Sequence, residues 1–243
     1  MGHEFEVREE ITLDATPEQV WAAIATGPGV DSWFMGRSEI EQRVGGKSTM
    51  DFGGFAMEST ITAFEPLKHF ATRSDPDENG GFMAFEYLIE GRGQGSTVLK
   101  FVHSGFLAQD DWQDEYDALK VGDGMYLRKL AIYVKHFAPR TASYSLMLQG
   151  PQVPNDKAWQ EFTSVVGGNT EPGDTVNVFG QDGVVEFSRQ RPNFLGVRTD
   201  DGVYVFLHGF MDTVVVEHHH YAEDDSHKPT EAALQSWLER SFS

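Results

Sequence analysis

Residues 16–21 read Thr-Pro-Glu-Gln-Val-Trp, and this stretch decides how the first half of the chain folds. A capping Thr, a Pro suited to the first turn and a Gln three residues after the Thr together predict the start of a helix. Upstream, residues 5–11 alternate apolar and charged side chains, which is the period of a strand with one covered face. The Gly27-Pro28-Gly29 sequence then ends the helix.

Downstream of this helix, turn sequences divide the chain into about six segments, and each segment is predicted as an antiparallel strand. The turns fall at Gly45-Gly46, Gly53-Gly54, 75–81 and 91–95. Apolar and aromatic residues of one parity place a single apolar face on this sheet. Residues 127, 130, 131 and 134 then recur at helical spacing, and they predict a long helix that packs on that face.

The second half is predicted as a smaller α+β domain. Residues 143–156 carry Pro151 and Pro154 and are interpreted as a linker. A short helix, five strands between about 175 and 221, and a last helix follow. We therefore divide the chain into domains 1–142 and 157–243, and the second is interpreted as a truncated copy of the first, because both end as strands followed by a helix.

The elements of residues 4 to about 140 resemble the START-like (SRPBCC, helix-grip) superfamily, in the branch named after the activator of the heat shock protein 90 ATPase. The residues that carry the resemblance are Thr16, Pro17, Glu18, Val20, Trp21, the Trp33-Phe34 pair, Gly45-Gly46 and the segment 122–130. The resemblance implies an antiparallel sheet wrapped around a long C-terminal helix, with a cavity between them. Relatives use this cavity for apolar ligands, lipids or aromatic polyketides; some are carriers, some are cyclases and some act on a chaperone.

Charge and composition exclude several classes of partner and chemistry. The chain has 19 Lys and Arg against 38 Asp and Glu, a net charge of −19, and both halves share the excess. Such a field repels nucleic-acid phosphates and anionic lipid headgroups. No stretch approaches the ~20 apolar residues of a membrane span. Cysteine is absent, which excludes thiol chemistry and fits a reducing compartment. We expect a cytoplasmic protein that binds no nucleic acid and does not insert into membranes.

An aromatic set larger than a plain core needs predicts a cavity for a small hydrophobic or aromatic molecule, either a lipid or a polyketide-like compound. The alternative is that these side chains fill the interface between sheet and helix. The residues predicted to contact the ligand are Trp33, Phe34, Phe52, Met57, Phe70, Phe85, Tyr87, Phe101, His103, Trp112, Tyr126 and Leu130.

His103 and Tyr87 raise the question of catalysis. His103 shares the parity of Leu99 and Phe101, so its imidazole is a candidate general acid or base at the cavity rim. A polyketide cyclase or dehydratase that uses His103 and Tyr87 is therefore one alternative, and a chaperone ATPase activator that uses its outer surface is another. No catalytic or cofactor-binding sequence motif accompanies them. We expect a binding protein rather than an enzyme, with no cofactor.

The run His218-His219-His220 suggests a metal site at first sight. In a strand, the first and third of these side chains point to one face and the second to the other, so the run cannot converge on one ion. We therefore predict no metal and interpret the run as the exposed end of a strand.

Overall fold

A computed structural model gives the fold and describes residues 2–52, 54–93, 95–107, 112–191, 193–209, 212–223 and 227–242. The chain divides into two compact units, Met1–Thr141 and Ala142–Ser243. Among the helices of these described residues, none combines the length and the apolar composition that crossing a membrane requires.

The first unit is a seven-stranded antiparallel sheet with three helices, in the strand order β1-β7-β6-β5-β4-β3-β2. The predicted α+β class and helix-grip architecture are confirmed. The elements are β1 (His3–Leu13), α1 (Pro17–Ala25), α2 (Gly27–Val30), β2 (Arg37–Ile40), β3 (Lys47–Asp51), β4 (Ala56–Glu65), β5 (His69–Ser74), β6 (Phe82–Gly93), β7 (Ser96–Leu107) and α3 (Trp112–His136).

Helix α1 begins where the sequence predicts, because its cap is local. The Thr16 hydroxyl accepts from the Gln19 amide at 3.3 Å, and the Gln19 side-chain oxygen accepts from the Thr16 amide at 2.9 Å. Beyond α2, the Trp33 indole nitrogen donates to the Ala23 carbonyl at 2.9 Å. This bond ties the turn after α2 back onto α1 and holds the indole in the interior.

Helix α3 covers the apolar face of the sheet. Tyr116 and Leu119 in its first half pack against Phe5, Val7 and Leu107 of β1 and β7. Its later turns bury Leu127 and Leu130. The stripe at helical spacing thus turns one side of α3 toward the sheet over residues 116–130.

The second unit is a six-stranded antiparallel sheet in the order β8-β13-β12-β11-β10-β9. Its elements are β8 (Tyr144–Gln152), α4 (Asn155–Val165), β9 (Thr175–Val178), β10 (Gln181–Gln190), β11 (Asn193–Thr199), β12 (Gly202–His208), β13 (Thr213–His220) and α5 (His227–Phe242).

The expected linker over 143–156 is wrong, because the segment forms β8 and the start of α4. Its two prolines do not interrupt the chain. Pro151 lies near the end of β8, an edge strand where the missing amide need not break a hydrogen bond. Pro154 occupies the N-cap position of α4, where no intrahelical donor is required. The second unit therefore includes the segment that was assigned to the linker.

The two units share one topology. In each, a first strand is followed by helix and antiparallel meander, the last strand returns beside the first, and a final helix closes the unit. The second unit has six strands instead of seven. Its core is filled with rings: Phe206 lies 5.3 Å from Trp237 and 5.8 Å from Phe162, measured between ring centroids.

The histidine run is not an exposed strand end, so that part of the interpretation is wrong. All three histidines are buried, and their strand β13 lies between β8 and β12 inside the sheet. The His218 ring stacks on Tyr204 at 4.2 Å, and its Nδ1 lies 3.2 Å from the Val203 carbonyl. Within the described ranges, no group of three or more His, Asp or Glu side chains is arranged to hold a metal ion.

Candidate ligand-binding cavity

A cavity lies in the first unit between the sheet, the turn after α2 and helix α3. The space open to the centre of a water-sized sphere is about 80 Å³, several times the ~10–15 Å³ that one water needs. Its walls are mainly apolar. The residues that line it are Ile24, Val30, Trp33, Phe34, Ser38, Ile40, Ser48, Met50, Phe70, Thr72, Phe85, Tyr87, Phe101, Asp123, Tyr126 and Leu127.

Strand register explains why so many rings meet in this space. Phe70, Tyr87 and Phe101 lie opposite one another across β5, β6 and β7, so their side chains emerge on the same face. The Tyr87 and Phe101 centroids are 5.1 Å apart. On the opposite side of the cavity, Phe34 of the turn after α2 contacts Tyr126 of α3, with 4.4 Å between ring centroids. The sheet and the helix therefore contribute facing aromatic walls.

Seven of the residues predicted to contact the ligand line this cavity. They are Trp33, Phe34, Phe70, Phe85, Tyr87, Phe101 and Tyr126. Four others do not line it: Phe52, Met57, His103 and Leu130. The remaining prediction, Trp112, has a side chain that lies outside the described residues.

The exceptions have physical causes. Met57 lies opposite the lining residue Met50, but it is 41% exposed and does not line the cavity. Phe52 follows β3 and stacks on Phe55 at 4.9 Å. Leu130 of α3 is fully buried and does not line the cavity.

His103 is buried behind the lining and does not present a ring nitrogen to it. Its Nδ1 lies 2.9 Å from Oδ2 of Asp123, and its Nε2 lies 3.3 Å from the Met83 sulfur. Its ring stacks on Phe85 at 4.3 Å and meets the edge of Phe5 at 5.1 Å. In this position His103 does not lie at the cavity rim, and its ring nitrogens do not reach a ligand as the predicted general acid or base would.

Sequence reasoning missed nine of the sixteen lining residues, and Asp123 is the one among them that most changes the chemistry of the site. Among the lining residues that the structure describes, it alone carries a charge. Its position was readable: it falls on the stripe of Leu119, Tyr126, Leu127 and Leu130, at spacings of three, four and seven. An acidic residue in the middle of an apolar stripe is the signal that was available. The hydroxyls of Ser38, Ser48 and Thr72 complete the polar lining.

Tyr87 places a phenol hydroxyl in the cavity wall. Burial raises its pKa, and the nearby Asp123 carboxylate raises it further. The hydroxyl therefore stays protonated at neutral pH, and it can donate or accept a hydrogen bond there. The site thus offers a ligand aromatic walls, the neutral phenol of Tyr87 and the carboxylate of Asp123, which is hydrogen-bonded to the His103 imidazole.

Comparisons with known proteins agree with this architecture. The family model described as Activator of Hsp90 ATPase homolog 1-like protein matches residues 14–135. No curated protein matches the chain. Several solved structures are similar to it. A Mesorhizobium loti protein is 21% identical, covering 52% of this chain and 94% of that chain, with a TM-score of 0.46.

Two further solved structures are similar to this chain. The Aha1 dimer from Colwellia psychrerythraea is 18% identical, covering 54% of this chain and 96% of that chain, with a TM-score of 0.45. The di-domain ARO/CYC BexL, from the BE-7585A biosynthetic pathway, is 11% identical, covering 98% of this chain and 97% of that chain, with a TM-score of 0.48. The resemblance stated from the sequence is confirmed by the family match, which spans half of the chain: this chain belongs to the family of Activator of Hsp90 ATPase homolog 1-like proteins.

Proposed function

We propose that the first unit binds a small hydrophobic or aromatic molecule in the cavity between its sheet and α3. The observation that carries the proposal is the lining itself, in which aromatic side chains from three strands, one helix and the turn after α2 surround unfilled space. In the second unit, side chains of the same kind pack against one another: Phe179 lies 5.9 Å from Tyr204 and 6.3 Å from Phe206 between centroids. These described rings of the second unit thus contact one another, whereas those of the first unit surround open space.

The size of the expected effect follows from apolar burial. A bound ring system that loses ~200–300 Å² of apolar surface gains about 5–8 kcal/mol at ~25 cal/mol per Å². Association costs reduce this gain. We therefore expect dissociation constants between about 1 µM and 1 mM for simple aromatic probes.

Binding fits the geometry better than catalysis by His103 and Tyr87. A general acid or base must come within hydrogen-bond reach of the proton that it transfers. Both ring nitrogens of His103 face protein atoms, Asp123 on one side and Met83 on the other. A cyclase or dehydratase that uses this imidazole would need the ring to leave that position.

The test uses the fluorescent probe N-phenyl-1-naphthylamine with a matched pair of variants on β3. Ser48 lines the cavity, whereas its neighbour Thr49 alternates to the other face and lies opposite Glu39 and Glu58. We expect Ser48→Phe to abolish the rise in probe emission and Thr49→Phe to preserve it. Titration of the unaltered chain should saturate at one probe per chain, because the cavity described above lies in the first unit.

Three outcomes contradict the proposal. The first is that the unaltered protein does not bind the probe, which would favour the alternative of a partner protein that acts through its outer surface. The second is equal binding by both variants. The third is that Thr49→Phe loses binding while Ser48→Phe keeps it.

A further inference from the structure

We propose that the ligand of this cavity is an aromatic molecule that presents a hydrogen-bond donor, a hydroxyl or an ammonium group, to the Asp123 carboxylate, and that ligands ending in a carboxylate are rejected. This inference rests on the proposed function and adds the chemical class of the ligand to it. It distinguishes phenol-like ring compounds from fatty acids as ligands, whereas composition and fold are compatible with both.

The first support is the incomplete hydrogen bonding of Asp123. Its side chain is 12% exposed and reaches the cavity from α3. Oδ2 accepts from Nδ1 of His103 at 2.9 Å, and within the described part of the chain this is the hydrogen bond that the carboxylate makes. A carboxylate offers about four acceptor sites. A largely buried one is stabilised by each further donor that reaches it, and the open side of this one faces the cavity.

The second support is that His103 holds the carboxylate in place. Phe85 and Phe5 enclose the imidazole, and its Nε2 contacts the Met83 sulfur. The ring is therefore not free to turn into the cavity and replace a ligand as the partner of Asp123. Its bond to Oδ2 fixes the orientation of the carboxylate, so the acceptor is preorganised before a ligand arrives.

The third support is electrostatic. Asp123 is the only charge among the described lining residues, and Tyr87 beside it stays neutral. The buried Lys129 ammonium lies against the Tyr126 ring, 4.8 Å from its centroid, and is not among the residues that line the cavity. A ligand carboxylate placed there would meet a like charge in a poorly hydrated space, where Coulomb repulsion is stronger than in water. The net charge of −19 opposes the entry of anions as well. The same lone carboxylate therefore favours the binding of ligands with hydrogen-bond donors and disfavours the binding of ligand carboxylates.

The test compares four naphthalenes of similar size by their displacement of N-phenyl-1-naphthylamine from the unaltered protein. They are 2-methylnaphthalene, 2-naphthol, 2-naphthylmethylammonium and 2-naphthoate. A hydrogen bond to a charged group corresponds to a preference of about tenfold or more. We expect at least one donor ligand to bind about tenfold tighter than 2-methylnaphthalene, and 2-naphthoate to bind weakest. The order of the two donors shows whether a phenol or an amine is preferred.

A charge-neutralising variant and its control test the residue itself. Asp123→Asn should reduce the donor preference to less than about threefold and should strengthen the binding of 2-naphthoate. Asp117→Asn, which makes the same change of charge at an exposed position of α3, should leave the ligand order unchanged. Circular dichroism establishes whether each variant is folded. If Asp123→Asn does not fold, the ligand order on the unaltered protein decides.

The outcomes keep the two proposals apart. Failure of the probe to bind the unaltered protein overturns the proposed function. Probe binding together with equal affinities for 2-naphthol, 2-naphthylmethylammonium and 2-methylnaphthalene, or with 2-naphthoate as the tightest ligand, overturns only the inference about Asp123. The same holds if none of the four compounds displaces a bound probe.

Discussion

Two leucines provide a matched test of whether the two units unfold independently. Leu130 on α3 and Leu234 on α5 each have no exposed surface, and each lies on the final helix of its unit. Replacing either by Ala removes the same atoms from a closed core. We expect a loss of about 2–5 kcal/mol in the free energy of unfolding of the unit that carries the change, and none in the other.

The shift in melting temperature follows from the size of each unit. At ~2.1 cal/mol/K of unfolding entropy per residue, a loss of about 3 kcal/mol lowers the melting temperature of Met1–Thr141 by roughly 10 °C. For the smaller unit, Ala142–Ser243, the same loss corresponds to roughly 14 °C. Differential scanning calorimetry of the full chain should show two transitions, of which Leu130→Ala moves one and Leu234→Ala moves the other.

A single transition that moves by the same amount in both variants would refute the reasoning, because it would mean that the units unfold together. Expression of residues 1–142 alone provides an independent check. We expect this fragment to melt cooperatively and to retain the sensitivity to Leu130→Ala. A fragment without a cooperative transition would contradict the proposed domain division even if calorimetry of the full chain were ambiguous.

Two further predictions concern pH and backbone. Burial raises the pKa of Tyr87 above the ~10 of the unfolded chain, so the stabilising contribution of Tyr87 is complete below pH ~10 and is lost as the pH rises further. When the free energy of unfolding from urea denaturation is plotted against pH, Tyr87→Phe should flatten the fall above pH ~10. An unchanged slope would contradict the prediction. Gly29→Ala would bring a Cβ to 1.9 Å from the Ala22 carbonyl oxygen and should cost about 1–3 kcal/mol. Gly122→Ala meets no atom within 4 Å inside α3 and should stabilise by about 0.5–1 kcal/mol. Chemical denaturation checks both, and equal effects of the two substitutions would contradict the reasoning.

The elements that sequence reasoning predicted correctly are those whose determinants are local. The Thr16–Gln19 capping box acts within four residues, and the alternation in β6 and β7 gives the correct face for Phe85, Tyr87 and Phe101. These patterns specify which side of an element is buried. They do not specify where along that side the cavity ends, and for this reason Phe52 and Met57 were assigned to a wall that they do not form.

The features that were missed depend on contacts between distant parts of the chain. His103 is enclosed because Phe5 of β1, far away in sequence, lies against its ring. The histidine run lies on β13, which is interior because β8 pairs with it, and Pro151 of β8 together with Pro154 after it made that segment look like a linker. Asp123 lies between two glycines after an acidic connector, and its spacing in the apolar stripe was the one local sign of its position.

The return of the last strand to the first has a consequence for how the protein is made. Val7 of β1 pairs opposite His103 of β7, and Leu146 of β8 pairs opposite His218 of β13. At a synthesis rate of ~5–20 residues per second, β1 leaves the ribosome roughly 5–20 s before its partner strand exists. During that interval β1 lacks its partner strand, and its Phe5 and Val7 side chains lack the helix α3 that later covers them; β8 passes through a similar wait later. Each unit is therefore open to chaperone binding and to aggregation for seconds during translation, and it becomes protected only when its last strand and its final helix are released.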